Sequence, residues 1–171
     1  PFLGAAVLAP QIILEAATIE QCRDLLTRVL DGSSICVLAH MEDAARGRVE
    51  YVETSAARTA TGYEINGHKT AVLGGPNSTQ LLVAARTSGE SSEPGGITLF
   101  RVDPDAAGLR RTDYQLIDRS AASDLLLEGV AVSAQDIVGE VGGAFPALER
   151  GTHIAIIAAA ADAVGSMTEA L

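Results

Sequence analysis

The sequence predicts an α+β fold, an antiparallel β-barrel or sandwich flanked by α-helices. Three observations predict it. Apolar residues recur at helical spacing up to Gly32, short strand-like runs separated by turn residues fill Ser34 to Val138, and an Ala/Ile-rich helical run follows to Leu171. With 171 residues, 47% hydrophobic and 20% charged, the chain has enough material for one domain with a core plus helical appendages.

The opening stretch "PFLGAAVLAPQIILEAA" has few charges and predicts a buried helix interrupted or restarted at Pro10. A second helix is marked at both ends. Thr18 and Gln21 fit a capping box, Ile19, Cys22, Leu25, Leu26, Val29 and Leu30 form its apolar face, and Asp31-Gly32 stops it.

The strand-like runs are "SICVLAH", "RVEYVETSAARTA", "YEINGHKTAVL", "TQLLVAART", "GITLFRVD", "LRRTDYQLID" and "DLLLEGVAV". Within "YEINGHKTAVLGG", Asn66-Gly67 predicts a two-residue turn joining two strands of a hairpin. The polar stretch "TSGESSEPGG" (Thr87 to Gly96) predicts an exposed hairpin loop. After Val138 a glycine-containing lead-in opens one long helix with no broad polar stripe, so that helix expects helical partners on more than one side.

Charge narrows the function. A net charge of −10 with 12 Lys and Arg, and no basic run denser than Arg110-Arg111, argues against nucleic acid and favours a small-molecule ligand. Cys22 and Cys36 lack CxxC or His at ligand spacing, which points to two free buried thiols and to no metal site. The most apolar segment, Ile154 to Val164, is too short for a membrane span and contains Asp162, so the expected location is cytoplasmic. The absence of an initial methionine, and of a stop signal before Leu171, reads as an excerpt of a longer polypeptide.

Few residues carry a chemical signature of their own. His40, His68 and His153 show no carboxylate partner at a telling spacing, and Asp113, Asp118 and Asp124 show no paired-carboxylate pattern. "GEVGGA" (Gly139 to Ala144) lacks the βαβ unit of a dinucleotide fingerprint, and "NST" (Asn77 to Thr79) matters as a glycosylation acceptor only in a secreted chain.

Five strings, in order, carry a resemblance: "GYEINGHKTAVLGG", "LLVAART", "GGITLFRVDPDAAGL", "LLLEGVAVSAQDIVGEVGGAF" and "AVGSMTEAL". Together they resemble the acyl-CoA dehydrogenase family. The resemblance implies three parts: residues 1–32 as the end of an N-terminal helical domain, 33–139 as the middle β-barrel domain, and 140–171 as the start of a C-terminal helical domain. It implies FAD as cofactor, an acyl-CoA substrate of fatty-acid, lipid or steroid breakdown, electron-transfer flavoprotein as acceptor, and a homo- or hetero-tetramer.

By the same resemblance, Leu38, Ala39 and Met41, with Ala71, Val72 and Leu73, form the flavin-side wall through their backbones, with plain barrel packing as their competing role. Arg46 and Arg48 are the candidates to grip pyrophosphate or a CoA phosphate, with simple solvation as the alternative. The catalytic carboxylate falls beyond Leu171, so none is expected within this chain.

Two motifs depart from the family pattern. The loop Thr-Glu-Pro-x-Ala-Gly-Ser-Asp is "MEDAARGR" (Met41 to Arg48) here, and Trp-Ile-Thr-Asn-Gly is "AVLGG" (Ala71 to Gly75), so flavin-facing hydroxyls and the covering indole are absent. These departures, with "ERG" at Glu149, resemble the divergent partner subunits of the family. Two readings stand: a dehydrogenase with unusual flavin contacts, and a silent scaffold or acyl-CoA-binding subunit.

Overall fold

The computed structural model describes residues 2–170. A π-helical segment, Phe2–Leu8, runs directly into α1 (Ala9–Ala16), and Pro10, which has no N–H to donate, lies where the wide π turns give way to the α-helix. Helix α2 (Ile19–Leu30) starts at the predicted capping box: the Thr18 hydroxyl accepts from the Gln21 amide and the Gln21 side chain accepts from the Thr18 amide.

Eight strands follow: β1 (Cys36–Ala39), β2 (Ser55–Arg58), β3 (Gly62–Leu73), β4 (Gln80–Arg86), β5 (Ile97–Val102), β6 (Leu109–Gln115), β7 (Ala121–Ser133) and β8 (Ile137–Val138). They form one sheet in the order β6-β7-β3-β2-β4-β5-β8, with β1 on β4. Antiparallel pairing dominates as expected, but β1 and one residue of β2 meet β4 in parallel, which makes the sheet mixed. Helix α3 (Phe145–Glu169) closes the chain.

Strands β4 and β5 are buried on both faces. Leu81, Val83, Ala85, Phe100 and Val102 face the barrel interior, while Leu82, Ala84, Ile97 and Leu99 face α1 and α2. Strict period-2 alternation thus divides one apolar run between two cores.

Two predicted strands turn out differently. The Asn66-Gly67 turn is absent, because β3 runs unbroken from Gly62 to Leu73 against β7, and the register merely shifts between Ile65 and Gly67. The dipeptide makes no hairpin; it faces a β-bulge whose extra residue lies on β7, at Glu128-Gly129, where Gly129 has φ 68° and donates its amide to Asn66 Oδ1 at 2.7 Å. A side chain at Gly67 would meet the Thr54 backbone, its Cβ falling 2.6 Å from Thr54 Cα, so the glycine serves a close approach between chains. In the run 48–60, only Ser55–Arg58 is strand. The residues before it are held by side chains: Glu42 accepts from the Glu53 and Thr54 amides, at 2.7 and 3.1 Å, while Arg86 takes the carbonyls of Glu50 and Val52.

Candidate functional site

Between the free edges of β1 and β3 opens a cleft of about 270 Å³. β1 is paired with β4 on one side only, and the cleft-side half of β3 is paired with β7 on one side only. One backbone bond spans the two edges at the bottom, from the Thr70 amide to the Met41 carbonyl at 2.9 Å. The π-helical segment covers one end through Leu3 and Gly4, and α3 forms the opposite wall through Thr152, Ala155, Ile156 and Ala159.

Of the residues that the resemblance assigned to a flavin wall, Leu38, Met41, Ala71 and Leu73 line this cleft. Ala39 and Val72 do not; they are buried inside the barrel core. Alternation separates them, since neighbours along a strand point to opposite faces. Arg48 lines the cleft mouth, its guanidinium 4.5 Å from the centre of the Tyr51 ring and its Nε donating to the Ala45 carbonyl at 3.3 Å. Arg46 is outside the lining, exposed in a left-handed turn at φ 49°.

The backbone amides along β3 differ in availability. The Gly74 amide donates to the Ala121 carbonyl at 2.8 Å, so by antiparallel alternation the Leu73 amide and carbonyl point away from β7, towards the cleft side. Gly4 agrees: a Cβ there would come within 2.8 Å of the Leu73 carbonyl oxygen. The Ala71 amide, by contrast, is already committed, donating to Asp124 Oδ1 at 3.0 Å and to Tyr114 Oη at 3.2 Å.

Beneath the cleft lies a buried ion pair. Lys69 Nζ sits 2.6 Å from Glu42 Oε1 and also donates to the His40 carbonyl at 3.3 Å; the Lys69 side chain is 0% exposed. Burial pushes the Lys69 ammonium down to about 8, against the pull of Glu42. Burial works to raise the Glu42 carboxyl, but Lys69 and the donated hydrogen bonds outweigh it and hold the group below the usual carboxylate range. Burial, reinforced by Lys69, pushes the His40 imidazole down to about 4, and its buried Nδ1 has no hydrogen-bond partner among the described residues. His40 is therefore neutral at physiological pH, one ring nitrogen enclosed. His68 and His153 are exposed.

The cleft draws on Gly4, Thr70, Thr152 and Ala155, none of which the sequence singled out. They come from three elements far apart in the chain, and only Thr70, inside "GYEINGHKTAVLGG", and Thr152, directly after "ERG", stood at a motif. Among the described residues, no group of three or more His, Cys, Asp and Glu could hold a metal, and no helix is long and apolar enough to cross a membrane. Cys36 is buried, its thiol pushed up to about 12, while Cys22 is only half-buried, donating to the Ile13 carbonyl at 3.3 Å.

The family model for the acyl-CoA dehydrogenase middle domain matches residues 38–130, which hold both strand edges of the cleft. The chain belongs to the acyl-CoA dehydrogenase family. It is 31% identical over 155 residues to a 3-(aryl)acrylate reductase of Clostridium sporogenes, covering 89% of this chain and 41% of that protein. It is 26% identical over 162 residues to the mitochondrial isovaleryl-CoA dehydrogenase of Solanum tuberosum, covering 93% of this chain and 39% of the other. A crystal structure of a probable acyl-CoA dehydrogenase from Mycobacterium abscessus superposes with a TM-score of 0.75 at 26% identity, covering 85% of this chain and 39% of that one. The chain thus spans about two-fifths of the relatives that it matches.

The family implies FAD, and the lining suits a flavin ring: its walls are mostly apolar, and alternation turns the backbone of Leu73, a lining residue, away from β7.

Proposed function

We propose that this chain is the central part of an FAD-dependent acyl-CoA dehydrogenase. Residues 33–139 form its middle domain, 1–32 end an N-terminal helical domain, and 140–171 begin a C-terminal one. The observation that carries this reading is the cleft itself, apolar and built jointly by the β1 and β3 edges and by α3 within and beside the family match.

In this reading Leu38, Met41, Ala71 and Leu73 are the face for the flavin ring, with Ala39 and Val72 supporting it from inside the barrel. The Leu73 amide orients the ring's polar edge, and Ile156 with Ala159 shields the acyl chain from water. A bound flavin would supply the redox chemistry as hydride acceptor, and a carboxylate would remove the acyl α-proton. That carboxylate belongs to the part of the protein beyond Leu171. Arg48, at the mouth, is better placed than Arg46 to meet a CoA phosphate.

Ile156, Ile157, Val164 and Met167 leave α3 with exposed apolar side chains, which supports assembly against further helices and a homo- or hetero-tetramer. Electron-transfer flavoprotein is the acceptor this reading assigns, and a bulky acyl-CoA of lipid or steroid breakdown is its substrate class.

A second reading, a flavin-poor partner or acyl-CoA-binding subunit, draws on one observation: the Ala71 amide is taken by Asp124 and Tyr114, and Met41 and Leu73 offer carbon where the family offers hydroxyls. The test is the absorbance of the full-length protein, co-expressed with any homologous neighbour, before and after anaerobic addition of acyl-CoA. Flavin that bleaches supports the dehydrogenase; a folded complex with no flavin overturns it in favour of the scaffold.

A further inference from the structure

Ala71 is a non-glycine residue inside a strand with positive φ, 48°, the left-handed region that is strained for an L-residue with a Cβ. It lies where the β3–β7 register shifts between Lys69 and Val72, and it lines the cleft. Without a compensating interaction, that stretch of β3 would relax towards a regular strand.

The compensating interaction comes from the neighbouring strands β7 and β6. Asp124 Oδ1, on β7, accepts from the Ala71 amide at 3.0 Å and from Tyr114 Oη at 2.7 Å, and Tyr114, on β6, itself lies 3.2 Å from the same amide. One carboxylate oxygen thus collects two donors, and both side chains are only partly exposed. Next along β7, Ser123 donates to Asp113 Oδ1 at 2.7 Å and packs against Gly75, the turn that follows Leu73.

We propose that Asp124 and Tyr114 are positioning residues: by fixing the Ala71 amide they keep the left-handed kink in β3, and the kink sets where Ala71 and Leu73 stand in the cleft. Neither residue lines the cleft. Their effect on a ligand passes through Ala71, and for that ligand the proposal rests on the flavin reading above.

The experiment is a double-mutant cycle on the full-length protein. Asp124→Ala, Asp124→Asn and Tyr114→Phe are each made with Ala71 in place and with Ala71→Gly, since glycine adopts the left-handed region without help. With Ala71, Asp124→Ala weakens flavin retention about tenfold, the size of a lost charge-assisted hydrogen bond, whereas in the Ala71→Gly background the loss is about threefold or less. Asp124→Asn, which keeps an acceptor oxygen, restores most of the retention, and Tyr114→Phe gives the smaller loss. Equal losses in the two backgrounds overturn the proposal. The thermal unfolding midpoint is read on the same set of proteins without ligand, so a protein that carries no flavin refutes the dehydrogenase reading yet still decides this one. Non-additive midpoints for Asp124→Ala and Ala71→Gly support the positioning role, and additive ones overturn it.

Discussion

Two buried cations, Lys69 and Arg86, are held in opposite ways. Lys69 answers to a single carboxylate, Glu42, with one carbonyl beside it. Arg86 meets no carboxylate within ion-pair reach among the described residues; its guanidinium donates to six backbone carbonyls, those of Glu50, Val52, Ser88, Ser91, Glu93 and Gly95. An ammonium is a point charge that needs a counter-charge when fully buried, whereas a planar guanidinium fork spreads its charge over several carbonyl dipoles. The two sites converge on one stretch of chain. Glu42 takes the amides of Glu53 and Thr54 while Arg86 takes the carbonyls of Glu50 and Val52, so residues 50–54 are clamped without belonging to any strand.

Breaking the Lys69 side should have the largest effect. Lys69→Met leaves Glu42 buried and unpaired and is expected to destabilise by about 3–5 kcal/mol in urea unfolding, whereas Lys69→Met with Glu42→Gln recovers much of that loss. If the single and double variants are equally unstable, the charge pairing is not what matters there.

Next is the acid side. The neutral His40 is favoured in the fold, pushed down to about 4 from an ordinary 6.5. The unfolded chain takes up a proton as pH falls through 6.5, the folded one only near 4, so stability is lost progressively across that window, by about 3 kcal/mol in all. His40→Gln should flatten this part of the profile, read as urea midpoints at pH 7, 5 and 4; Glu42 leaves a further loss at lower pH in both proteins. A slope unchanged by the substitution rules His40 out as its source.

Arg86→Lys sharpens the contrast from the other end. A lysine keeps the charge and loses the fork, and the expected cost is about 2 kcal/mol, with faster amide exchange concentrated in residues 50–54 and 88–96. Uniform exchange over the whole barrel would contradict a local staple. The smallest effect belongs to Thr18→Ala, far from both cations, which removes one half of a capping box and should cost about 1 kcal/mol by thermal unfolding, with flavin content unchanged.

The legibility of the fold tracks how local its causes are. The α2 capping box, the strand runs that become β4 and β5, and the polar loop after Thr87 are written in neighbouring residues, and each stands as read. The Asn66-Gly67 dipeptide carries a strong turn signal, yet pairing with β7 along nearly all of β3 overrides it, and Thr54 explains the glycine instead. In the cleft, Leu38, Met41, Ala71, Leu73 and Arg48 were legible through motif resemblance, whereas Ala39 and Val72 fell to the other face by alternation. Gly4, Thr152 and Ala155 were not legible because tertiary packing alone brings their helices to the strand edges. Asp124 shows no paired-carboxylate pattern in the sequence, and it gains its partners, Ala71 and Tyr114, only through the pairing of β3 and β6 with β7.

Helix α3 is anchored at one end. Its buried residues are Ala147, Leu148 and Gly151, all within its first two turns, where a Cβ on Gly151 would come within 2.5 Å of Ile12 Cγ1. Its 25 residues make a rod about 37 Å long. The rod is a lever with its fulcrum at Gly151. A tilt of about 5° there would carry the cleft-facing Ala159 by about 1 Å and the far end by more than twice as much, from a rise of about 1.5 Å per residue. Whatever packs against the exposed apolar side chains of Val164 and Met167 would therefore adjust the width of the cleft from a distance, with strands β1 and β3 standing still.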